Sequence, residues 1–285
     1  MRLLARTLGA LAALALALAA SAQLSPPNAA GVAMGHLHYV VRDVEANKAF
    51  WVTLGGKPMK LDGAAQGVLF PGVIVLLREG ESAGGTEGSV VNHVAFRVKS
   101  LAAIEKAGLE VELNTAYPGI GSVYTPEGER IELFDDELAT NVYFTTDDGS
   151  TDATAERHNR NIDVPIVTHH IHWNVPMDQV GAVKEWYASH FGGVRGKRWH
   201  YDAVDLPGIN INVSSVETTQ APTRGRMLDH IGFEVENLEA FCRRLEAEGI
   251  KFDRPYAKAA SGVGVAFLTD PWGTYIELTE GLRDL

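Results

Sequence analysis

The sequence holds a single cysteine, Cys242, among 285 residues. No intrachain disulfide can form, so packing and hydrogen bonding must hold the fold without covalent crosslinks. Cys242 sits beside Phe241 in an amphipathic helical pattern, which gives it a small apolar packing role and no nucleophilic chemistry. Basic residues are also in short supply, with 25 Lys plus Arg against 36 Asp plus Glu and a formal charge of −11. The acidic residues are scattered and form no tail, and the deficit of positive charge excludes nucleic acid as a natural partner. The one long apolar run, Leu8 to Ala20, is shorter than the roughly 20 residues that a bilayer-spanning helix needs. Arg2 and Arg6 precede that run and Ala20, Ser21 and Ala22 follow it, so residues 1–22 read as a cleavable secretory leader cut before Gln23. No Cys follows to accept a lipid. The expected product is periplasmic or secreted, with no stable membrane anchor after cleavage.

What the sequence does contain is one strand pattern four times over. It recurs in Gly35-His36-Leu37-His38-Tyr39-Val40-Val41, Asn92-His93-Val94-Ala95-Phe96-Arg97-Val98, His169-His170-Ile171-His172-Trp173-Asn174-Val175 and Asp229-His230-Ile231-Gly232-Phe233-Glu234-Val235. Each copy has apolar residues one, three and five places after a His. Successive strand side chains point to opposite faces, so each strand buries its apolar trio and turns the His the other way. An amphipathic helix follows, clearest in Leu238, Phe241 and Leu245 and again in Val180, Val183 and Tyr187. Copies one and three share Pro-Gly turns at Pro71 and Pro207. Copies two and four share the endings Thr125-Pro126-Glu127-Gly128 through Leu133 and Asp270-Pro271-Trp272-Gly273 through Leu278, each read as a turn into a last strand.

The chain is thus a duplication of a duplication. The expected fold class is α+β, with four βαβββ modules paired into two domains, 34–137 and 167–281. Residues 138–166, rich in Thr, Asp, Asn and Ser, read as the linker. Within it, Val142, Tyr143 and Phe144 form a strand-like run, and Asp147-Asp148-Gly149-Ser150 reads as a turn.

The last strands of copies two and four place Glu132 and Glu277 on the face opposite Ile131, Leu133, Ile276 and Leu278. Each half then offers a trio, His36, His93 and Glu132 in the first and His170, His230 and Glu277 in the second. Two imidazoles and a carboxylate can take one face of a divalent ion and leave positions open, which suits Fe(II) and is usable by Zn, Mn, Ni or Co. His38 and His172 lie two residues beyond His36 and His170 on the same faces, so either could replace its neighbour as a ligand or serve as a base beside it. Trp199, His200 and Tyr201 are candidates for a pocket wall.

These residues resemble the vicinal oxygen chelate superfamily, which includes glyoxalases, bleomycin-resistance proteins and extradiol dioxygenases. The resemblance covers nearly the whole mature chain. It rests on a Val five residues after each ligand His, as in His36 with Val41, His93 with Val98, His170 with Val175 and His230 with Val235, and on Glu132 and Glu277 as the closing carboxylates. The family implies cup-shaped sheets built from paired modules, with metal ligands on the first and fourth strands. Family glyoxalases carry a fourth ligand, a Glu, where this sequence is aligned with Val75 and Ile211. A three-ligand, dioxygenase-like site is therefore expected over a glyoxalase site, although dioxygenases commonly keep ligands only in the second half. His200 and Tyr275 are the candidates for acid-base work. The implied function is a divalent-metal-dependent enzyme acting on a small oxygenated molecule by dioxygenase or lyase/isomerase chemistry. The alternative is an exported small-ligand-binding protein of the bleomycin-resistance type, without catalysis. A glutathione-dependent lyase fits poorly with a leader, since glutathione is chiefly a cytosolic reductant.

Overall fold

The computed structural model describes residues 24–60, 66–138, 143–150 and 161–284. The leader expected at 1–22 lies outside the described residues. Among the described residues no helix is long and apolar enough to cross a membrane.

The four modules form in the expected order. The first contains β1 (Val32–Val41), α1 (Val44–Thr53), β2 (Lys57–Met59), β3 (Gln66–Phe70) and β4 (Val73–Glu79). The second contains β5 (Val91–Val98), α2 (Leu101–Lys106), β6 (Glu112–Leu113), β7 (Ile120–Tyr124) and β8 (Arg130–Asp135). A short strand, β9 (Phe144–Thr146), precedes the third module of β10 (Ile166–Pro176), α3 (Val180–Phe191), β11 (Val194–Arg198), β12 (Tyr201–Leu206) and β13 (Ile209–Val216). The fourth contains β14 (Leu228–Val235), α4 (Leu238–Ala247), β15 (Phe252–Lys258), β16 (Gly264–Thr269) and β17 (Tyr275–Glu280).

Local chemistry explains the element boundaries. The Asp43 carboxylate accepts from the Ala46 N–H and so starts α1, while Gly192 in the left-handed conformation ends α3. Burial follows the alternation in the sequence. Leu37, Tyr39 and Val41, and their counterparts in the other three repeats, all join one hydrophobic core. On α4, Leu238, Phe241, Cys242 and Leu245 are buried together, which confirms the packing role of Cys242.

The pairing of the modules differs from the sequence reading. One sheet runs β15-β16-β17-β14-β1-β4-β3-β2 and joins the first module to the fourth. The other runs β6-β7-β8-β5-β10-β13-β12-β11-β9 and joins the second to the third. The segments 34–137 and 167–281 are therefore not self-contained sheets, because each half gives one module to each sheet. The links between modules explain the crossing. Residues 80–90, between β4 and β5, run beside residues 217–227, between β13 and β14, with Ala83 N–H donating to Gly225 O, Met227 N–H to Gly84 O and Val90 N–H to Ala221 O at 2.8–2.9 Å. These links brace each other and carry the chain from one sheet to the next.

Modules within one half meet through turns and helices instead. Glu127, in the turn before β8, accepts from the backbone N–H groups of Arg42 and Asp43 at the start of α1. Asp270, in the turn before β17, accepts from the Tyr187 hydroxyl on α3. The Pro-Gly turns touch across the molecule, and a Cβ on Gly72 would meet the Gly208 Cα at 3.4 Å. The expected linker is partly structural, since β9 adds an edge strand to the second sheet and buries Phe144 completely. Asp147–Ser150 forms the turn after it, with Gly149 at φ 73°. Val142 lies outside the described residues.

Candidate metal centre

In the first sheet, antiparallel β1 and β14 place His38 opposite His230 and His36 opposite Gly232, and parallel β14 and β17 place Gly232 beside Glu277. Gly232 is needed here because a Cβ on it would lie 2.0 Å from the His36 ring. His36 Nε2 and His230 Nε2 approach Glu277 Oε2 at 3.0 and 2.9 Å. Ligand atoms of His36, His38, His230 and Glu277 all lie within 4.8 Å of one another. Donors held about 2.0–2.2 Å from one ion are spaced over a similar range, so small side-chain adjustments suffice to bring the four onto one point. Among the described residues, buried His36 Nδ1 and both ring nitrogens of His38 have no hydrogen-bond partner. Unpartnered buried imidazole nitrogens are costly unless something else satisfies them, and a bound ion would satisfy one of the two at His38.

Electrostatics agree with a cation site. Burial works against charge on His230, yet its hydrogen bonds to Asp229 and Glu277 raise its pKa above the ordinary value. Burial likewise opposes charge on Glu277, but hydrogen bonds from His230 and His36 hold its carboxyl well below the usual carboxylate range. His38 is pushed down to about 3 by burial and by the neighbouring His230 and His36, so it presents a neutral ring. The Asp229 carboxylate lies 2.6 Å from His230 Nδ1. It accepts that N–H, so an ion that replaces the Nε2 proton would meet the Nε2 lone pair on the cup side, as in carboxylate–histidine–metal triads.

The second sheet repeats the geometry with different surroundings. β10 and β5 place His172 opposite His93 and His170 opposite Ala95, while Ala95 lies beside Glu132. His93 Nε2 is 3.2 Å from both Glu132 Oε2 and His170 Nε2. His172 Nε2 is 2.7 Å from the Ser214 hydroxyl. Burial first, and then neighbouring positive groups, push His170 and His172 well below the ordinary histidine value. Burial also lowers His93 against the pull of Glu132. Two arginines enter this cup. Arg130 Nη2 lies 2.7 Å from His93 Nδ1, which is also 2.7 Å from the Asn92 carboxamide, and Arg130 Nη1 lies 3.5 Å from Glu132 Oε1. Arg198 donates to His169 Nε2 at 2.6 Å, and His169 Nδ1 is 2.7 Å from His170 Nδ1. The histidines open into a cavity of about 120 Å³ whose wall includes Tyr117, Arg198, Trp199, Tyr201 and Asn212.

The structure therefore regroups the expected trios. His36 and Glu277 come from opposite ends of the chain and meet each other, as do His93 and His170, because the sheets pair modules across the halves. His36, His93 and Glu132 do not share a site, and neither do His170, His230 and Glu277. The position aligned with a fourth ligand also moves. Val75 and Ile211 point into the core, and the registers beside the cup histidines are Ile74 and Leu76 in the first sheet and Asn210 and Asn212 in the second. The first cup has no carboxylate at those registers to act as a fourth ligand, but His38 fills out its donor set. Tyr275 lies on the first cup, 5.8 Å ring to ring from His230. His200 is exposed in the turn between β11 and β12, packed on Trp199 and Tyr201, and is not part of the cavity wall. Sequence reasoning passed over Asp229, Arg130 and the Arg198–His169 pair. One signal was available, since the residue before the cup histidine is acidic at Asp229 and an amide at Asn92.

Residues 168–278 match the model of the Glyoxalase/Bleomycin resistance protein/Dioxygenase superfamily. The third and fourth modules carry this superfamily match. It is similar in fold to glyoxalase I from Zea mays, at 13% identity over 89% of this chain and 94% of that one with a TM-score of 0.59. A point mutant of that maize enzyme superposes with a TM-score of 0.62 over 89% and 95% of the two chains, again at 13% identity. A candidate dioxygenase from Bacillus subtilis is 14% identical over 91% of this chain and 86% of that one, with a TM-score of 0.59. At such identities the likeness is one of fold. No curated protein matches the sequence. Among the described residues, the chain has His/Glu groups able to hold a divalent ion.

Proposed function

We propose that this chain is an exported, divalent-metal-dependent vicinal oxygen chelate enzyme that acts on a small oxygenated molecule in the first cup. One observation carries the reading: four donors from both ends of the chain converge there, and among the described residues neither buried ring nitrogen of His38 has a partner. His36, His38, His230 and Glu277 would hold the ion. When bound, such an ion supplies Lewis acidity to neighbouring substrate oxygens and, where redox-active, access to dioxygen chemistry.

The chain's own residues prepare this site. Asp229 fixes the His230 tautomer and orientation. Glu277 stays ionised and retains 13% side-chain exposure, which leaves the cup in contact with solvent. Arg224 and Arg254 lie over the rings of Tyr275 and Phe267 at 4.6 and 4.7 Å, forming a positive rim that draws in substrates with anionic oxygens. Burial raises the Tyr275 phenol above its usual value, so it keeps its proton at neutral pH and serves as the acid-base candidate beside His230. The intact donor set supports catalysis over ligand sequestration alone.

Metal analysis of the mature protein, followed by stripping and reconstitution, tests the proposal. It expects bound metal and activity that returns with reconstitution. Absence of both, across Fe, Zn, Mn, Ni and Co, would refute it. Oxygen uptake during turnover assigns the dioxygenase class, and turnover without uptake assigns the lyase/isomerase class.

A further inference from the structure

We propose that the second cup excludes the divalent ion, with Arg130 as the residue that decides it, so that each chain holds one ion. The inference rests on the first-cup reading for the location of that ion and on separate observations for the exclusion. The first cup gathers two carboxylates, Glu277 on the donors and Asp229 behind His230. The second has, among the described residues, one carboxylate in contact with its histidines, Glu132, and Arg130 sets a fixed positive charge 3.5 Å from it and 2.7 Å from His93. A dication entering there meets a cation in contact with two of its would-be ligands, and the Asn92 amide replaces the counter-charge that Asp229 provides.

Proton placement acts in the same direction. An arginine can only donate, so Arg198 makes His169 Nε2 an acceptor. The proton of neutral His169 then lies on Nδ1 and is donated to His170 Nδ1. Neutral His170 consequently carries its own proton on Nε2, the atom that faces His93 Nε2 at 3.2 Å and Glu132 Oε2 at 3.7 Å. That atom offers an N–H to the cup where a ligand must offer a lone pair. The third imidazole, His172, is engaged by Ser214. Two cups with the same strand register therefore differ in what they accept. The second remains a hydrogen-bonding cavity of about 120 Å³.

Titration of the stripped full chain with Co(II), read by calorimetry and visible absorption, tests this directly. One equivalent is expected for the wild type, none for Glu277→Ala and still one for Glu132→Ala. Arg130→Met, at a side chain one-third exposed, is expected to add a second equivalent or to tighten weak second-cup binding at least tenfold. Two equivalents of similar affinity in the wild type would overturn the inference. So would an ion lost on Glu132→Ala and kept on Glu277→Ala. If the wild type binds no Co(II), the first-cup reading fails separately. The exclusion is then decided by Arg130→Met alone, which supports it by gaining an ion and overturns it by gaining none.

Discussion

The two cups share strand order, register and the positions of their histidines, yet their surroundings diverge in charge. At Gly232 and Asp229 the first cup makes room for the His36 ring and backs His230 with a carboxylate. At Ala95 and Asn92 the second does neither, and it admits Arg130. Duplicated architecture thus carries two chemistries, because an ion site depends on the charge and proton placement around its ligands as well as on the ligands themselves.

The largest expected difference between the cups comes from the carboxylates. Glu277→Ala should lower turnover by about a thousandfold or more, since it removes both an ion ligand and the partner of two histidines, whereas Glu132→Ala should leave turnover within a few-fold. Steady-state kinetics of both variants make the comparison, and equal losses would break it.

Gly232→Val should follow, because its side chain would take the volume of the His36 ring and displace that ligand. A loss of metal affinity of about a hundredfold is expected, against no change for Ala95→Gly at the matching position. Asp229→Asn should cost about tenfold to a hundredfold in metal affinity, and Asn92→Asp should shift the second cup the other way. Competition with a chromogenic chelator measures all four variants.

The pH response of the stripped protein should also separate the cups. His170, His172 and His93 are held below the ordinary value by burial. The unfolded chain takes up protons there at a pH where the fold does not. Stability is therefore full above about pH 6.5 and falls as the pH drops below it. In the first cup His230 is raised, so its contribution is full below about pH 6.5 and is lost as the pH rises through its folded value, while depressed His38 works the other way. Thermal unfolding between about pH 7.5 and 5 should show an acid-side fall that shrinks in His172→Gln and persists in His230→Gln. The smallest effect is expected for Cys242→Ala, which should cost about 1 kcal/mol or less in chemical denaturation and leave the metal affinity of either cup unchanged.

Much of this was legible in the sequence. The apolar trios after His36, His93, His170 and His230 are two-residue alternations, and each trio is buried as alternation requires. The turns at Pro71, Pro207, Pro126 and Pro271 likewise follow from local chemistry. The pairing of modules was not legible, because β1 exposes an edge that β5 and β14 could both extend with similar patterns. What separates those partners is the mutual bracing of residues 80–90 and 217–227, a contact between distant segments. The registers of Val75 and Ile211 failed for a related reason, since a one-residue shift moves a strand position from cup to core.

The sequence by itself determined the four modules, the buried face of each first strand, and the His and Glu residues that look away from the core. Short-range alternation and turn chemistry suffice for these. Only the tertiary structure decided that His36 shares a cup with Glu277 and that His93 shares one with His170. It alone brought Arg130 and Arg198 to one cup and left the other backed by Asp229. These are choices of strand partner and of charge at close range, and both depend on contacts between residues far apart in the chain.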